Sequence, residues 1–250
     1  LNEASFHSAL TAVLFAAAVM TWGVLSLVTA PYGRHVRKGW GPTVSQRWAW
    51  MVMESPAVLA FAGVYSIGHR WLDPAPLALF ALWQLHYVHR TFVYPLRIRG
   101  NAWPVTVIAL GFGFQCVNSY LNARQLSELG AYPIQWLLDP RFIAGAALFG
   151  VGMWMNRRAD AALRRLRSPG ETGYRIPRGG LFERVSCPNY LGEILEWFGW
   201  AVATWSWAGL AFAVYTLANL GPRAVAHHRW YQRTFPDYPA DRRALIPFLW

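Results

Sequence analysis

The chain has 250 residues and a formal net charge of +11; 55% are hydrophobic and 14% charged, against about a quarter charged in a soluble domain. That balance excludes an ordinary soluble domain and points to lipid as the solvent, to which the 15 Trp are suited at membrane interfaces. The two cysteines, Cys116 and Cys187, exclude a disulfide framework and a C-x-x-C metal site.

A spanning helix needs about 20 mostly apolar residues. In chain order such runs lie at Ala9–Ala30, Trp48–Gly68, Ala75–Pro95, Ala102–Leu121, Phe142–Met155, Tyr190–Trp205 and Trp207–Gly221. The first has no basic region before it and is too long for a signal-peptide core, so it is read as a retained helix. The last two are short and nearly fused. A hairpin is preferred there, because one helix of about 32 residues would overshoot a ~30 Å hydrocarbon core. The expected architecture is all-α, a polytopic membrane bundle of seven transmembrane helices in one integral membrane domain over residues 1–250.

The connecting segments test that count. Pro31–Arg47, the segment with Arg97 and Arg99, Arg157–Pro188 and the tail from Pro222 together carry +14; the alternate segments carry −1. The positive-inside rule then places the N-terminus outside and the C-terminus in the cytoplasm. It also accounts for the net charge without nucleic acid.

Four charged residues fall inside the apolar runs: Glu54, Arg90, Glu193 and Glu196. Charge within a membrane is costly and marks a functional site by default, the plain alternative being snorkelling to the headgroups. At 1.5 Å per residue these groups and Tyr87 lie about 6–12 Å from the cytoplasmic ends of their spans. The expected site is therefore one polar pocket open to the cytoplasm. Arg164, Arg165, Arg167, Arg175 and Arg178 would roof it with donors suited to phosphate, or would serve anionic lipid. Interleaved Asn156, Asp160, Tyr174 and Asn189 favour a specific site. Pro56 frees backbone carbonyls beside Glu54, which suits a cavity wall. Tyr87 needs a hydroxyl partner if it does more than pack, and Glu54 is the candidate. His86, His89 and Arg90 share a helical face. With seven scattered His a membrane di-iron site is not expected, and no metal is.

At these residues the chain resembles the steroid 5α-reductase family. His86-Tyr87-Val88-His89-Arg90-Thr91-Phe92-Val93-Tyr94 is similar to its third-span motif. Arg167-Ser168-Pro169-Gly170-Glu171 through Tyr174-Arg175-Ile176-Pro177-Arg178-Gly179-Gly180-Leu181-Phe182 resembles its cofactor loop, and Asn189-Tyr190-Leu191-Gly192-Glu193-Ile194-Leu195-Glu196-Trp197 the helix that follows. Tyr32-Gly33-Arg34-His35 and the ending from His227-His228-Arg229-Trp230-Tyr231 also fit. The resemblance implies reduction of the Δ4 double bond of 3-oxo steroids with NADPH. By position, Glu54 and Tyr87 would polarise the 3-oxo group. Tyr32, Arg90, Tyr94, Asn156, Asp160, Arg167, Tyr174, Arg175, Asn189, Glu193, Trp197, His228 and Tyr231 would line the NADPH site. Spans over about residues 9–121 would serve the substrate and those over about 142–250 the cofactor. Met53, where the family often has Gln, and Ile98, where it often has Asn, depart from the pattern.

The substrate would be a steroid or other apolar enone entering from the bilayer. No partner protein is implied, so a monomer is expected. Rival readings are an S-adenosylmethionine-dependent membrane methyltransferase of the isoprenylcysteine type, a polyprenol or enoyl-CoA reductase, and a transporter or sensor. The last would need a polar path through both leaflets, and the outer half of the spans is too apolar.

Overall fold

The computed structural model describes residues 2–37, 39–98, 100–166 and 173–250. Its helices are α1 (Glu3–Leu27), α2 (Gln46–Ser66), α3 (Pro74–Val88), α4 (Tyr94–Arg97), α5 (Val105–Arg124), α6 (Pro140–Arg165), α7 (Pro188–Thr204) and α8 (Trp207–Thr234). Every apolar run found in the sequence is a helix, and the protein is all-α. One small addition is an antiparallel pairing of β1 (Thr43–Val44) with β2 (Trp103–Pro104).

Local chemistry sets the helix ends. Asn2, Asp139 and Ser206 cap α1, α6 and α8 by accepting from the backbone N–H of Ser5, Arg141 and Gly209. Pro opens α3, α6 and α7, where its missing N–H has no intrahelical acceptor to lose. The hairpin is the observed form of the last two runs. α7 stops at Thr204, Trp205 turns left-handed at φ 44°, and α8 starts at Trp207 and packs back on α7.

Two helices overrun their apolar stretches. α6 continues past Met155 to Arg165, so Asn156 and Asp160 are helical rather than loop residues. α8 runs through Pro222 to Thr234, and carries His227 and His228 on its last turns. The third run is also not a plain helix. Between α3 and α4, residues His89–Val93 form a π turn, with Tyr94 N–H bonded to the carbonyl of His89. Pro95 cannot donate to the carbonyl of Thr91, and a widened turn absorbs that break.

α2 pairs chiefly with α5, α1 with α8, and α6 with α7. The last pair meets backbone to backbone. A Cβ on Gly145, Gly152, Gly192 or Gly199 would run into the main chain of the facing helix. Small residues at such a seam let two helices approach closely. The core between α2, α3, α7 and α8 is aromatic: Trp83 stacks on Phe61 at 4.4 Å, and Trp197 meets Phe212 at 4.4 Å.

The outward helix faces are apolar as well. Val19, Leu59 and Leu110 are 73%, 66% and 74% exposed on α1, α2 and α5. Among the described residues α1 alone is both long and apolar enough on its own to cross a membrane.

Candidate active site

A cavity of about 590 Å³ runs between α1, α2, α3, α5, α7 and α8. Met20, Val24, Leu110, Phe114 and Leu220 line its apolar part, and Glu54, His86, Tyr87, Arg90, Gln115 and Glu193 its polar part. Glu54 sits two residues before Pro56 of α2. The carbonyl of Val52, left without a helical donor by Pro56, accepts from Ser55 Oγ at 2.9 Å, and Ser119 Oγ of α5 donates to the Pro56 carbonyl at 3.0 Å. α2 is thus held against α5 beside the carboxylate.

Glu54 and Tyr87, expected as direct partners, are joined through a third residue. Gln115 Nε2 donates to Glu54 Oε2 at 2.6 Å and to the Tyr87 hydroxyl at 3.3 Å. All three are buried. Trp197 stacks on the Tyr87 ring at 5.4 Å. The other charges found in the apolar runs are paired. Arg90 Nη2 donates to Glu193 Oε2 at 3.2 Å, and its Nη1 lies 3.8 Å from Asp160 Oδ2. His86 Nδ1 and Glu196 Oε1 are 2.7 Å apart and buried. The Arg90 guanidinium also rests over Trp50 at 4.5 Å and Tyr94 at 5.0 Å.

The glycine seam sets the next layer. It brings Asn156 and Asp160 of α6 against Asn189 and Glu193 of α7. Asn156 Nδ2 donates to the Asn189 carbonyl at 3.0 Å and to Glu193 at 3.3 Å, and Asn189 Nδ2 donates to Asp160 at 3.0 Å.

A second cluster forms where the segment after α1 meets the end of α8. Arg223 lies 3.6 Å over the Tyr32 ring and donates to Tyr190, whose hydroxyl is 3.0 Å from His227. His227 in turn is 3.2 Å from His35. Arg34 is held among the rings of Tyr174, Trp230 and Tyr231 at 5.0, 4.6 and 4.7 Å. Burial, followed by the Arg223, Arg34 and Arg37 guanidiniums, brings the loop residue His35 down to about 4. His227 lies beyond the apolar run of α8, and burial with Arg34 and Arg223 holds it well below its ordinary range. The imidazole pair is therefore neutral at neutral pH.

Of the residues singled out from the sequence, Glu54, Tyr87, Arg90, Tyr94, Asn156, Asp160, Asn189, Glu193 and Trp197 form one connected site, and Tyr32, Tyr174 and Tyr231 belong to the second cluster. His228 adjoins the second cluster through Tyr238, whose ring stacks on Tyr231 at 5.2 Å. Its Nδ1 bonds Ser186 Oγ at 2.6 Å, and Ser186 bonds Tyr238. His227, one residue earlier and about 100° around the helix, takes the inward position. Arg175 is exposed. Arg167 lies outside the described residues. Gln115, Arg34 and Arg223 were not singled out. For Gln115 the signal was there: Gln115, Asn118 and Asn122 put three amides at i, i+3, i+7 in and just past one apolar run.

Comparison with known proteins bears on this geometry. The family model described as 3-oxo-5-alpha-steroid 4-dehydrogenase matches residues 101–250. A Gossypium hirsutum protein named steroid 5-alpha-reductase DET2 is 47% identical over 256 residues, covering 100% of this chain and 99% of its own length. The Arabidopsis thaliana protein of that name is 46% identical, over 91% of this chain and 90% of its own. A Bos taurus protein named 3-oxo-5-alpha-steroid 4-dehydrogenase 1 is 44% identical over 100% of this chain and 99% of its own.

Proposed function

As the chain belongs to the 3-oxo-5-alpha-steroid 4-dehydrogenase (steroid 5α-reductase) family, we propose that it reduces the Δ4 double bond of 3-oxo-Δ4 steroids with NADPH, within a membrane. The observation that carries this reading is the cavity, whose apolar wall meets Glu54, Tyr87 and Gln115 at one end. An apolar body with a single ketone matches that lining.

Seven helices, α1–α3 and α5–α8, span the bilayer, with the N-terminus outside and the C-terminus in the cytoplasm. The +14 and −1 of the alternate segments support this orientation. Exposed apolar faces and exposed Trp48, Trp71, Trp154, Trp205 and Trp207 fit lipid and its interfaces. The protein acts as a multi-pass monomer, and substrate enters from the membrane.

The residues present fit a dinucleotide without a Rossmann fold. Nη1 of Arg34 and Nη1 of Arg223 are buried and have no hydrogen-bond partner among the described residues, and guanidinium donors of this kind suit phosphate. Tyr32, Arg34, Tyr174, Arg223, His227 and Tyr231 would hold one part of NADPH, and Arg90, Asn156, Asp160, Asn189 and Glu193 another. Arg167 and Arg175 would add charge at the cytoplasmic mouth. When bound, NADPH supplies the hydride. Tyr87 donates its O–H to the 3-oxo oxygen, where negative charge grows as the β-carbon accepts hydride. Such a donor acts mainly on the transition state. The enolate then takes a proton at its α-carbon, so the product has gained one hydride and one proton.

The test is turnover by purified protein in detergent. Testosterone-like substrates with NADPH should give the 5α-dihydro product by mass spectrometry. Methyl transfer from S-adenosylmethionine, with no NADPH consumed, would overturn the reading. Turnover confined to enoyl-CoA or polyprenol substrates would overturn the steroid assignment.

A further inference from the structure

We propose that Gln115 is the positioning residue that aims the Tyr87 hydroxyl at the substrate ketone, the last link of a one-way chain of buried amides. The proposal rests on the ketone-polarising reading of Glu54 and Tyr87. It adds a residue that carries no charge and touches no reacting atom.

The chain begins at Trp200 of α7. Its indole Nε1, which can only donate, gives a hydrogen bond to Asn122 Oδ1 at 2.8 Å. Asn122 Nδ2 donates to Asn118 Oδ1 at 2.9 Å, and Asn118 Nδ2 reaches Gln115 Oε1 at 3.5 Å. Gln115 Nε2 then donates to Glu54 Oε2 and to the Tyr87 hydroxyl. At the far end Glu54 Oε2 accepts, at 2.6 Å. With a pure donor at one end and an acceptor at the other, each amide between them has one satisfactory orientation. Asn118, Asn122 and Gln115 are all buried, so a flipped amide would leave buried groups unsatisfied.

The consequence falls on Tyr87. A phenol hydroxyl has one proton to give and lone pairs to accept with. Gln115 engages the accepting side. Among the described residues Tyr87 donates to no acceptor, and no hydrogen bond joins it to Glu54. The same Gln115 nitrogen occupies Glu54 Oε2, the nearby acceptor that would otherwise compete for the phenol proton. The O–H is left for a ligand in the cavity that both residues line. Without the amide, Tyr87 would turn its proton to Glu54.

Gln115→Met keeps the length of the side chain and removes both donors. The expected result is a kcat lower by about 10–100-fold, short of the roughly 10²–10³-fold loss of a whole oxyanion donor, with unchanged KM and NADPH affinity. Combined with Tyr87→Phe, the loss should not multiply, because the residues act as one unit. Isotope-edited infrared spectra of a bound ¹³C=O 4-en-3-one give a readout that packing would not move. The carbonyl band should lie below its position in buffer in the wild type and move back towards it in Gln115→Met. If that variant does not accumulate, Asn118→Ala carries the test. It touches neither Glu54 nor Tyr87, frees Gln115 Oε1, and should lower kcat several-fold with the same shift of the band. Wild-type kcat and an unmoved carbonyl band in the variants would overturn this inference and leave the reductase reading intact. A wild type that reduces no 4-en-3-one would overturn the reductase reading, while the infrared shift would still report whether Gln115 directs Tyr87 onto a bound ketone.

Discussion

Asn189 Nδ2 donates to Asp160 Oδ1 at 3.0 Å, and this bond fastens the first turn of α7 to the last turns of α6. It works only because the glycine seam lets the two helices touch along their length. Asn189→Ala should therefore weaken NADPH binding and also leave the buried Asp160 short of a donor, a loss of about 1–3 kcal/mol. NADPH titration of tryptophan fluorescence, read beside a melting curve, checks both. Unchanged affinity would remove this pair from the cofactor site.

The seam makes its own prediction. Gly152→Ala puts a methyl group into the backbone of α7 near Glu196. Overpacking of that kind costs about 1–3 kcal/mol. The melting temperature should fall, and NADPH affinity with it, since Asn156 and Glu193 lie within four residues of the contact on their helices. Gly150→Ala, whose added methyl meets nothing, is the control and should match the wild type. Equal effects in the two variants would argue against the seam as the positioning element.

Much of this arrangement was legible in the sequence, for specific reasons. Hydropathy located all the long helices because each is built around an apolar run. Counting charge within apolar runs found Glu54, Arg90, Glu193 and Glu196, which all line the site or pack directly under it. The same count passes over Gln115, because a neutral amide barely perturbs hydropathy. Hydropathy also ended α6 near Met155, since Asn156, Arg157 and Arg158 are polar while the helical hydrogen bonding continues. His227 and His228 look equivalent in sequence. Only the helix phase decides that one meets Tyr190 and the other Ser186.

The His35–His227 contact gives a pH dependence. Folding lowers His35 from its ordinary 6.5 to about 4, so the folded state prefers the neutral ring. That preference stabilises fully above 6.5 and is lost as pH falls through 6.5 towards 4. Arg223, Arg34 and Arg37 surround it and oppose a further positive charge, while His227 is its ring partner at 3.2 Å. The melting temperature should drop over this acidic range, and His35→Gln should flatten the drop. A variant with the wild-type acid limb would assign the loss to other groups.

The Arg34 cage predicts a loss confined to the cofactor. Arg34→Ala removes a guanidinium held among three aromatic rings, with one nitrogen that has no hydrogen-bond partner among the described residues. A charge-assisted bond to phosphate is worth about 1.5–3 kcal/mol, so NADPH affinity should fall by roughly 10- to 100-fold. Steroid affinity should not change, because Arg34 is not among the residues of the substrate cavity. Unaltered NADPH affinity would make the cage a purely structural contact.

The last prediction separates Tyr87 from Glu54. If Tyr87 supplies the proton that the ketone oxygen shares as it becomes an enolate, its contribution exists mainly in the transition state. Tyr87→Phe should lower kcat by about 10²–10³-fold, the usual loss for one such donor, with little change in KM or NADPH affinity. Glu54 acts through Gln115 rather than on Tyr87 directly, since the amide nitrogen bridges the two. Glu54→Gln keeps the shape but offers Gln115 a carbonyl in place of a carboxylate, and should lose less than Glu54→Ala, which leaves the buried amide without its acceptor. The double variant Glu54→Ala/Tyr87→Phe should be little worse than the weaker single one, because a residue that only orients Tyr87 has nothing left to orient. Steady-state kinetics of the four proteins decide it. Losses that multiply would mean that Glu54 meets the substrate on its own account, and full activity in Tyr87→Phe would remove the phenol from the chemistry.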